Sequence, residues 1–586
     1  MDELADLGIR QAFAVVGGGS MYLSHALGIS KRIKTIYCHH EQACAMAAEG
    51  YARYMCDRPA LVSVTSGPGG TNTLTGIMGA YVDSIPIIVV SGQCRYNTSV
   101  PQSGLPLRIR GPQEFNIVDT VKTMTKYSKL ITDPSDIVHE IRKAFTLAMS
   151  GRRGPVWLDI PLDIQNKQIN VNKSNRSPLH DNTVQTSRSN INKIFETLKA
   201  AKRPCIIAGG SVRYSGNQRS FLDFLKRIKI PVLSASAHPD VLHRTHPLYF
   251  GAEGILGQRA GNFILQNADV ILVLGASLSF GETGWVQENF APNAYIIGIN
   301  IDANEFRKPG LHVSSFIHCN LAHFFRLSKN YSLFAPADWF AYCKSVNSKF
   351  DPFEGRVPAN NERVNTCNFW KEYDNQIAVN EVTCLGNSSC IAQWVRVGNR
   401  TNAQRTLFNT NCGSMGDDLP LAVGAASACK RAVTLVTGDG SMMMNLQELS
   451  TIRHNKLPIR IVVFSNGGYN ALRQTWKRYF NGVNAGCDAS SGISLPSIKK
   501  IATTFDLPYR RCRSNNELSA SIAWLLKQNT AAILEIDETI ENRANIPCVI
   551  SRLREDGTSE PAFLQDMYPY LDRSTYDSCM PFEVKK

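Results

Sequence analysis

The chain has 586 residues, is 43% apolar and 19% charged, and carries 63 Lys+Arg against 49 Asp+Glu for a formal charge of +14. That length implies about three domains with a sizeable core, and the composition excludes a disordered, collagenous or coiled-coil chain. Apolar runs such as residues 85–90 fall far short of the roughly 20 residues of a membrane span, so no transmembrane helix and no membrane partner are expected. The N-terminus, Met1-Asp2-Glu3-Leu4, is acidic and lacks a basic segment ahead of an apolar one, which predicts a cytoplasmic protein. Sixteen cysteines are scattered without a CxxC pair and read as buried thiols. The basic residues form no block of five or six, pointing to anionic substrates or cofactors rather than to nucleic acid.

In chain order, three stretches alternate apolar strands with helical patterns, the mark of an α/β chain with three doubly wound parallel-sheet domains. The first spans 1–170 and ends at Leu158-Asp159-Ile160-Pro161. A polar tract at 166–189 reads as a linker. The second spans 187–328, with a helix over 191–201 and strands over 205–208, 270–274 and 295–301. After an irregular stretch at 349–366, the third spans 367–548, with strands over 433–437 and 459–465 and a helix over 446–454. A tail, 549–586, shows little periodicity. The first and third stretches are similar in size and character.

The third stretch holds Gly438-Asp439-Gly440 directly after a strand, and Asn466-Gly467-Gly468 after the next strand, 27 residues beyond Asp439. In a parallel sheet both sites emerge at the carboxyl ends of neighbouring strands, where α/β folds bind ligands. A carboxylate, an amide carbonyl and the backbone carbonyl of Gly468 suit Mg²⁺, a hard cation that keeps further positions for phosphate oxygens. Asp439, Asn466 and Gly468 are therefore the candidate metal ligands.

At this spacing the chain resembles the thiamine diphosphate enzymes. His39-His40-Glu41-Gln42, Glu49-Gly50-Tyr51-Ala52-Arg53, Thr65-Ser66-Gly67-Pro68-Gly69-Gly70-Thr71-Asn72, Asp83-Ser84-Ile85-Pro86 and Gly92-Gln93 resemble the pyrimidine-binding domain of acetohydroxyacid synthases. The resemblance makes 1–170 the pyrimidine-binding domain, 187–328 a central FAD-type domain and 367–548 the diphosphate- and Mg²⁺-binding domain. It implies thiamine diphosphate, Mg²⁺ and a non-redox FAD as cofactors. Glu41 becomes the carboxylate that hydrogen-bonds the cofactor's pyrimidine and favours its proton-abstracting tautomer. Met415, in Gly413-Ser414-Met415-Gly416, becomes the wedge that bends the cofactor, and Gln113 and Gln93 face the reacting centre. Gly17, Gly18, Pro68, Asn72, Gly438, Gly440 and Asp439 complete the thiamine diphosphate set. Arg152, Gly209, Gly210, Gly251, Gly275 and Asp302 match the flavin set, with Arg152 suited to a diphosphate. The resemblance further implies a homodimer or homotetramer with active sites shared between subunits.

Departures from the family pattern bear on substrate. Its flavin-side G-x-H-G-T is Gly254-Ile255-Leu256-Gly257-Gln258 and its G-A-R-F is Gly275-Ala276-Ser277-Leu278, losing a histidine and an arginine. After Asn466, alignment on Arg473-Gln474 turns the family's Met and Trp into Ala471 and Thr475; upstream, F-Q-E is Pro112-Gln113-Glu114 and P-K-D is Pro161-Leu162-Asp163. These changes predict an enlarged acceptor pocket on a basic protein, which fits a nucleotide-linked ketosugar as acceptor for the two-carbon unit of pyruvate. The nearest analogy is the flavin-containing carboligases of branched-chain sugar (yersiniose-type) biosynthesis. The alternatives are an acetolactate synthase that condenses two pyruvates, and a noncatalytic nucleic-acid-binding protein, against which Glu41, Asp439 and Asn466 argue.

Overall fold

Uninterrupted apolar runs produce strands buried on both faces, as parallel sheets covered by helices require. The computed structural model describes residues 1–169, 184–235, 238–351, 353, 363–480, 482–539, 547–554, 556 and 558–582. The first sheet contains β1 (Gln11–Ala14), β2 (Lys34–Tyr37), β3 (Ala60–Val64), β4 (Ile87–Gln93), β5 (Tyr127–Leu130) and β6 (Val156–Pro161). The second contains β7 (Pro204–Ala208), β9 (Val232–Ala235), β10 (Tyr249–Glu253), β11 (Val270–Leu274), β12 (Tyr295–Asn300) and β13 (Ser315–His318), while β8 (Ile228–Lys229) pairs with β14 (Leu333–Phe334) at its side. The third contains β15 (Val382–Leu385), β16 (Arg405–Leu407), β17 (Val433–Gly438), β18 (Ile459–Ser465), β19 (Tyr509–Cys512) and β20 (Ala532–Asp537). All three sheets are six-stranded and parallel, in the orders β2-β1-β3-β4-β6-β5, β10-β9-β7-β11-β12-β13 and β16-β15-β17-β18-β20-β19. The first and third orders are the same pattern.

Some local expectations shift. The helix expected over 446–454 runs Glu448–His454, because Met443–Asn445 is taken up by a tighter turn. The linker predicted at 166–189 and the irregular stretch at 349–366 lie in part outside the described residues. The tail is more organised than its lack of periodicity suggested: it forms the antiparallel pair β21 (Arg552–Leu553) and β22 (Ser559–Glu560) and the helix Arg573–Cys579. Arg259 donates to the carbonyl of Met567 (3.0 Å) and Asn262 to that of Leu564 (2.9 Å), so long-range polar contacts fasten it. All sixteen cysteines are unbridged. Among the described residues no helix is long and apolar enough to cross a membrane.

The first and third sheets share one apolar core, whereas the second has its own on each face. The shared core centres on two crossed helices, Glu41–Met55 and Asp418–Cys429. A Cβ at Gly50 would strike the carbonyl of Leu421, and one at Gly424 would strike the carbonyl of Ala47. Each glycine thus rests on the carbonyl three residues before the other, a reciprocal contact that only hydrogen in place of a side chain permits. Buried ion pairs tie the regions together. Arg53 pairs with Glu49 (2.5 Å) and with Asp83, while Arg405 pairs with Asp240 (2.9 Å) and donates to the carbonyls of Arg53 and Tyr54 (2.9 Å each). Such pairs offset their own desolvation only when geometry and extra hydrogen bonds are good, so they act chiefly to fix how the regions sit.

Candidate active site

The parallel pairing of β17 with β18, Gly438 opposite Phe464, brings Asp439 and Asn466 out at the same edge of the third sheet. Asp439 is buried; its Oδ2 accepts from the backbone N–H groups of Asn466 (2.9 Å) and Gly467 (2.7 Å), and its Oδ1 from that of Gly440 (2.9 Å). Burial pushes its carboxyl above the ordinary range, and these N–H groups oppose that rise. Asn466 donates through Nδ2 to Glu538 Oε2 (2.7 Å), while its Oδ1 and its backbone carbonyl accept from Arg473 Nη2 (2.8 and 2.9 Å). Gly468 has φ 143°, and a Cβ there would strike the carbonyl of Cys487, so no other residue fits this turn. Gly440 likewise leaves room for the ring of Tyr469. Asp439 and Asn466 therefore emerge side by side with oxygen donors of the kind that suit Mg²⁺, the Asn466 oxygen being engaged here by Arg473. Among the described residues no three His, Cys, Asp or Glu side chains form a metal cage.

In the first region Glu41 opens its helix, where the helix dipole favours a carboxylate, and the His40 side chain caps the N–H of Gln42. Asn72, at the end of the short Pro68–Thr71 helix, donates to Glu41 Oε2 at 3.0 Å, joining two of the predicted residues. Gly17 lies against Thr65, whose Oγ1 accepts from the N–H of Gly19 (3.1 Å); Gly18 faces open space. The backbone of Gln113, in the left-handed region with φ 54°, packs onto Gly67 ahead of Pro68, and its side chain is exposed.

Met415 lies in a turn bounded by Gly413 and Gly416, both with positive φ. Sequence reasoning missed the residue that joins this turn to the Glu41 helix. Asn445 Nδ2 donates to the carbonyl of Gly416 (2.7 Å) and lies 3.4 Å from Gln42 Oε1 and 3.6 Å from Met46 Sδ. The only signal was a polar residue closing the Met442-Met443-Met444 run. One position departs from expectation. Gln93, expected to face the reacting centre, turns inward: its amide donates to Asp159 Oδ2 (3.0 Å) and to the carbonyl of Phe115 (2.9 Å), and its oxygen accepts from Cys94 N–H. The reason is Asp159, fully buried on β6, which needs donors; burial pushes its carboxyl up to about 7, against the bonds from Ser91 and Gln93.

At the carboxyl ends of β7 and β11, where the order of the second sheet reverses, a cavity of about 210 Å³ is lined by Arg152, Gly210, Gly275, Asn300 and Glu305 among others. Arg152 crosses from the first region to Asp302 (2.9 Å) and Glu305, and donates to Ser84 (3.0 Å). Of the flavin set, Gly210 and Gly275 line the cavity with Arg152, Asp302 is joined to it through Arg152, and Gly209 abuts the backbone of Ala276. Gly251 does not line the cavity; its left-handed turn (φ 105°) is set against Gln258. Leu256, in place of the family histidine, packs into the core of the third region, and Ser277, in place of the arginine, donates to Glu282 (3.3 Å). Strand ends at such a reversal are where open α/β sheets bind ligands.

Three stacked parallel-sheet regions, with Gly-Asp-Gly and Asn at adjoining strand ends and a helix-opening Glu, define a thiamine diphosphate enzyme. Family models agree along the chain: the N-terminal TPP binding domain of thiamine pyrophosphate enzymes matches residues 1–117, their central domain 191–319 and their C-terminal TPP binding domain 387–536. The chain is 31% identical over 494 residues to the acetolactate synthase large subunit of Lactococcus lactis, covering 82% of each. It is 29% identical to the acetolactate synthase isozyme 1 large subunit of Escherichia coli, covering 91% of this chain and 92% of that one. It is 27% identical to the chloroplastic acetolactate synthase of Arabidopsis thaliana, over 92% and 80%. The chain belongs to the acetolactate synthase family of thiamine diphosphate-dependent, carbon–carbon bond-forming transferases.

Proposed function

We propose that this enzyme decarboxylates pyruvate and transfers the remaining two-carbon unit to the keto group of a nucleotide-linked deoxysugar. Thiamine diphosphate, when bound, supplies an acidic carbon and a sink for the electrons left by loss of CO₂. Asp439, Asn466 and the Gly468 carbonyl would hold Mg²⁺ on its diphosphate. Glu41, fixed by Asn72, would hold the proton-relaying pyrimidine nitrogen, and Met415 would set the cofactor's bend. The junction cavity supports a non-redox FAD held by Arg152, Gly210, Gly275 and Asp302, which flavin absorbance of the purified protein tests.

The observation that carries the acceptor is the helix Asn470–Tyr479. Ala471 and Thr475, four residues apart, put small side chains on one face, with Thr475 Oγ1 bonded to the Ala471 carbonyl (3.1 Å). A tryptophan does exist one residue on, but Trp476 sits about 100° round the helix and its indole donates to Ala485 (3.3 Å). The face of Ala471 and Thr475 is left without a bulky ring, while Arg473, two residues from each, turns to the other side of the helix toward Asn466. The assay is mass spectrometry of products from pyruvate, thiamine diphosphate, Mg²⁺ and FAD, with and without a CDP-linked 4-keto-dideoxysugar. A sugar heavier by C₂H₄O, pyruvate less CO₂, is expected. The second reading, condensation of two pyruvates, is favoured by the names of the relatives; acetolactate formed beside an untouched sugar would establish it. As an assembly we propose a homodimer or homotetramer with shared sites, supported by exposed apolar side chains at Leu105, Leu107, Ile109, Leu472 and Phe480. Mixing inactive Glu41→Gln and Asp439→Ala chains tests it: activity returns if sites are shared between subunits.

A further inference from the structure

We infer that Glu538 is a positioning residue that locks the Asn466 amide in the one orientation able to ligate the metal. This rests on the reading of Asn466 as a Mg²⁺ ligand. The strands β18 and β20 run parallel with Ser465 opposite Asp537, so Asn466 and Glu538 are the next residues past the ladder, side by side. Glu538 is held on both flanks: its N–H donates to the Ser465 carbonyl (3.1 Å), and Val364 bridges to it from the other side, with Val364 N–H on Asp537 (2.8 Å) and Thr539 N–H on Val364 (3.1 Å). Its side chain is wholly buried.

An asparagine amide can face either way at almost equal cost unless a neighbour discriminates between its oxygen and its nitrogen. A carboxylate oxygen accepts, and in the 2.7 Å contact Glu538 Oε2 takes its hydrogen bond from Nδ2. The oxygen must then present itself on the opposite edge. There a cationic group already accepts the invitation: Arg473 Nη2 donates to Oδ1 at 2.8 Å and to the backbone carbonyl of the same residue at 2.9 Å. The guanidinium holds the oxygen on that edge, where a metal would share or displace the Arg473 contact. Supporting residues of this kind commonly set the affinity of a metal site as strongly as some ligands do.

The test is Mn²⁺ binding, followed by electron paramagnetic resonance of the free ion, to metal-stripped full-length protein in the presence of thiamine diphosphate. Glu538→Leu, which cannot accept, should weaken Mn²⁺ binding by about 10- to 100-fold. Glu538→Gln, which keeps an acceptor oxygen, should stay within about threefold of the parent. A folded Leu variant with parental affinity, or a Gln variant as impaired as Leu, overturns the inference. Should Glu538→Leu not fold, Asn466→Asp provides the alternative. It places two carboxylates in contact and should bind Mn²⁺ more weakly than the parent, and adding Glu538→Gln, whose amide can donate to the new carboxylate, should restore binding. Equal affinity of the single and double variants also overturns it. Asn466→Ala separates the premises: parental Mn²⁺ affinity there would remove the metal-site reading itself.

Discussion

The first and third sheets share one strand order, yet their equivalent edges are wired to different partners. At the end of β4 in the first, Gln93 folds back onto Asp159, and the polar groups satisfy one another inside the protein. At the end of β18 in the third, Asn466 donates to Glu538 and accepts from Arg473 of the following helix, and Asp439 accepts from backbone N–H groups. One topology thus provides an edge closed by an amide–carboxylate pair and an edge where carboxylate and amide oxygens meet backbone N–H groups and a guanidinium. What distinguishes them is the choice of a few side chains in strand-end loops, which is where function resides on a shared scaffold.

Glu41→Gln should lower turnover by about 10²- to 10⁴-fold while leaving thiamine diphosphate binding in place, because it removes a proton-holding group and no metal ligand. If cofactor affinity collapses instead, by fluorescence titration, the division of labour between the regions is wrong. Next in size, Ala471→Met with Thr475→Trp should refill the acceptor face and shift the ratio of kcat/KM for sugar and pyruvate acceptors by about 10- to 100-fold toward pyruvate. An unchanged ratio would place the acceptor elsewhere.

Gly424→Ala sharpens the comparison from the structural side. The added methyl meets the Ala47 carbonyl, so a loss of about 1–3 kcal/mol in unfolding stability is expected from overpacking, with Gly50→Ala costing a similar amount by the reciprocal contact. The smallest effect concerns the closed end. Asp159 has a folded-state pKa of about 7, above its unfolded value, so the folded chain holds an extra proton and its stability falls as pH rises from about 4 to about 7. Asp159→Asn should flatten that part of the stability profile, measured by chemical denaturation at several pH values; a retained slope would assign it to another group.

Much of this was legible in the sequence for a physical reason. Strands buried on both faces are continuous apolar runs, and the strands expected at 270–274 and 459–465 appear at those residues. Adjacent parallel strands deliver their ends to one edge, so the spacing of Asp439 and Asn466 was enough to join them. Glu538 was not legible, because it follows Asn466 by 72 residues and meets it only through the β18–β20 register. The inward turn of Gln93 was hidden likewise, its partner Asp159 being 66 residues away. The tail escaped periodicity arguments because side-chain bonds to its carbonyls, from Arg259 and Asn262, order it rather than an amphipathic repeat.

The glycine crossing between the helices Glu41–Met55 and Asp418–Cys429 also acts as a fulcrum. Glu41 lies nine residues before Gly50, and Met415 nine before Gly424. At about 1.5 Å per helical residue, the arm from pivot to carboxylate is about 13 Å. A rotation of a few degrees at the pivot therefore displaces the carboxylate by roughly half an ångström or more, the scale on which proton transfer geometry is set. Two hydrogens far from any substrate act as the bearing of the instrument, and its calibration is lost if either is replaced.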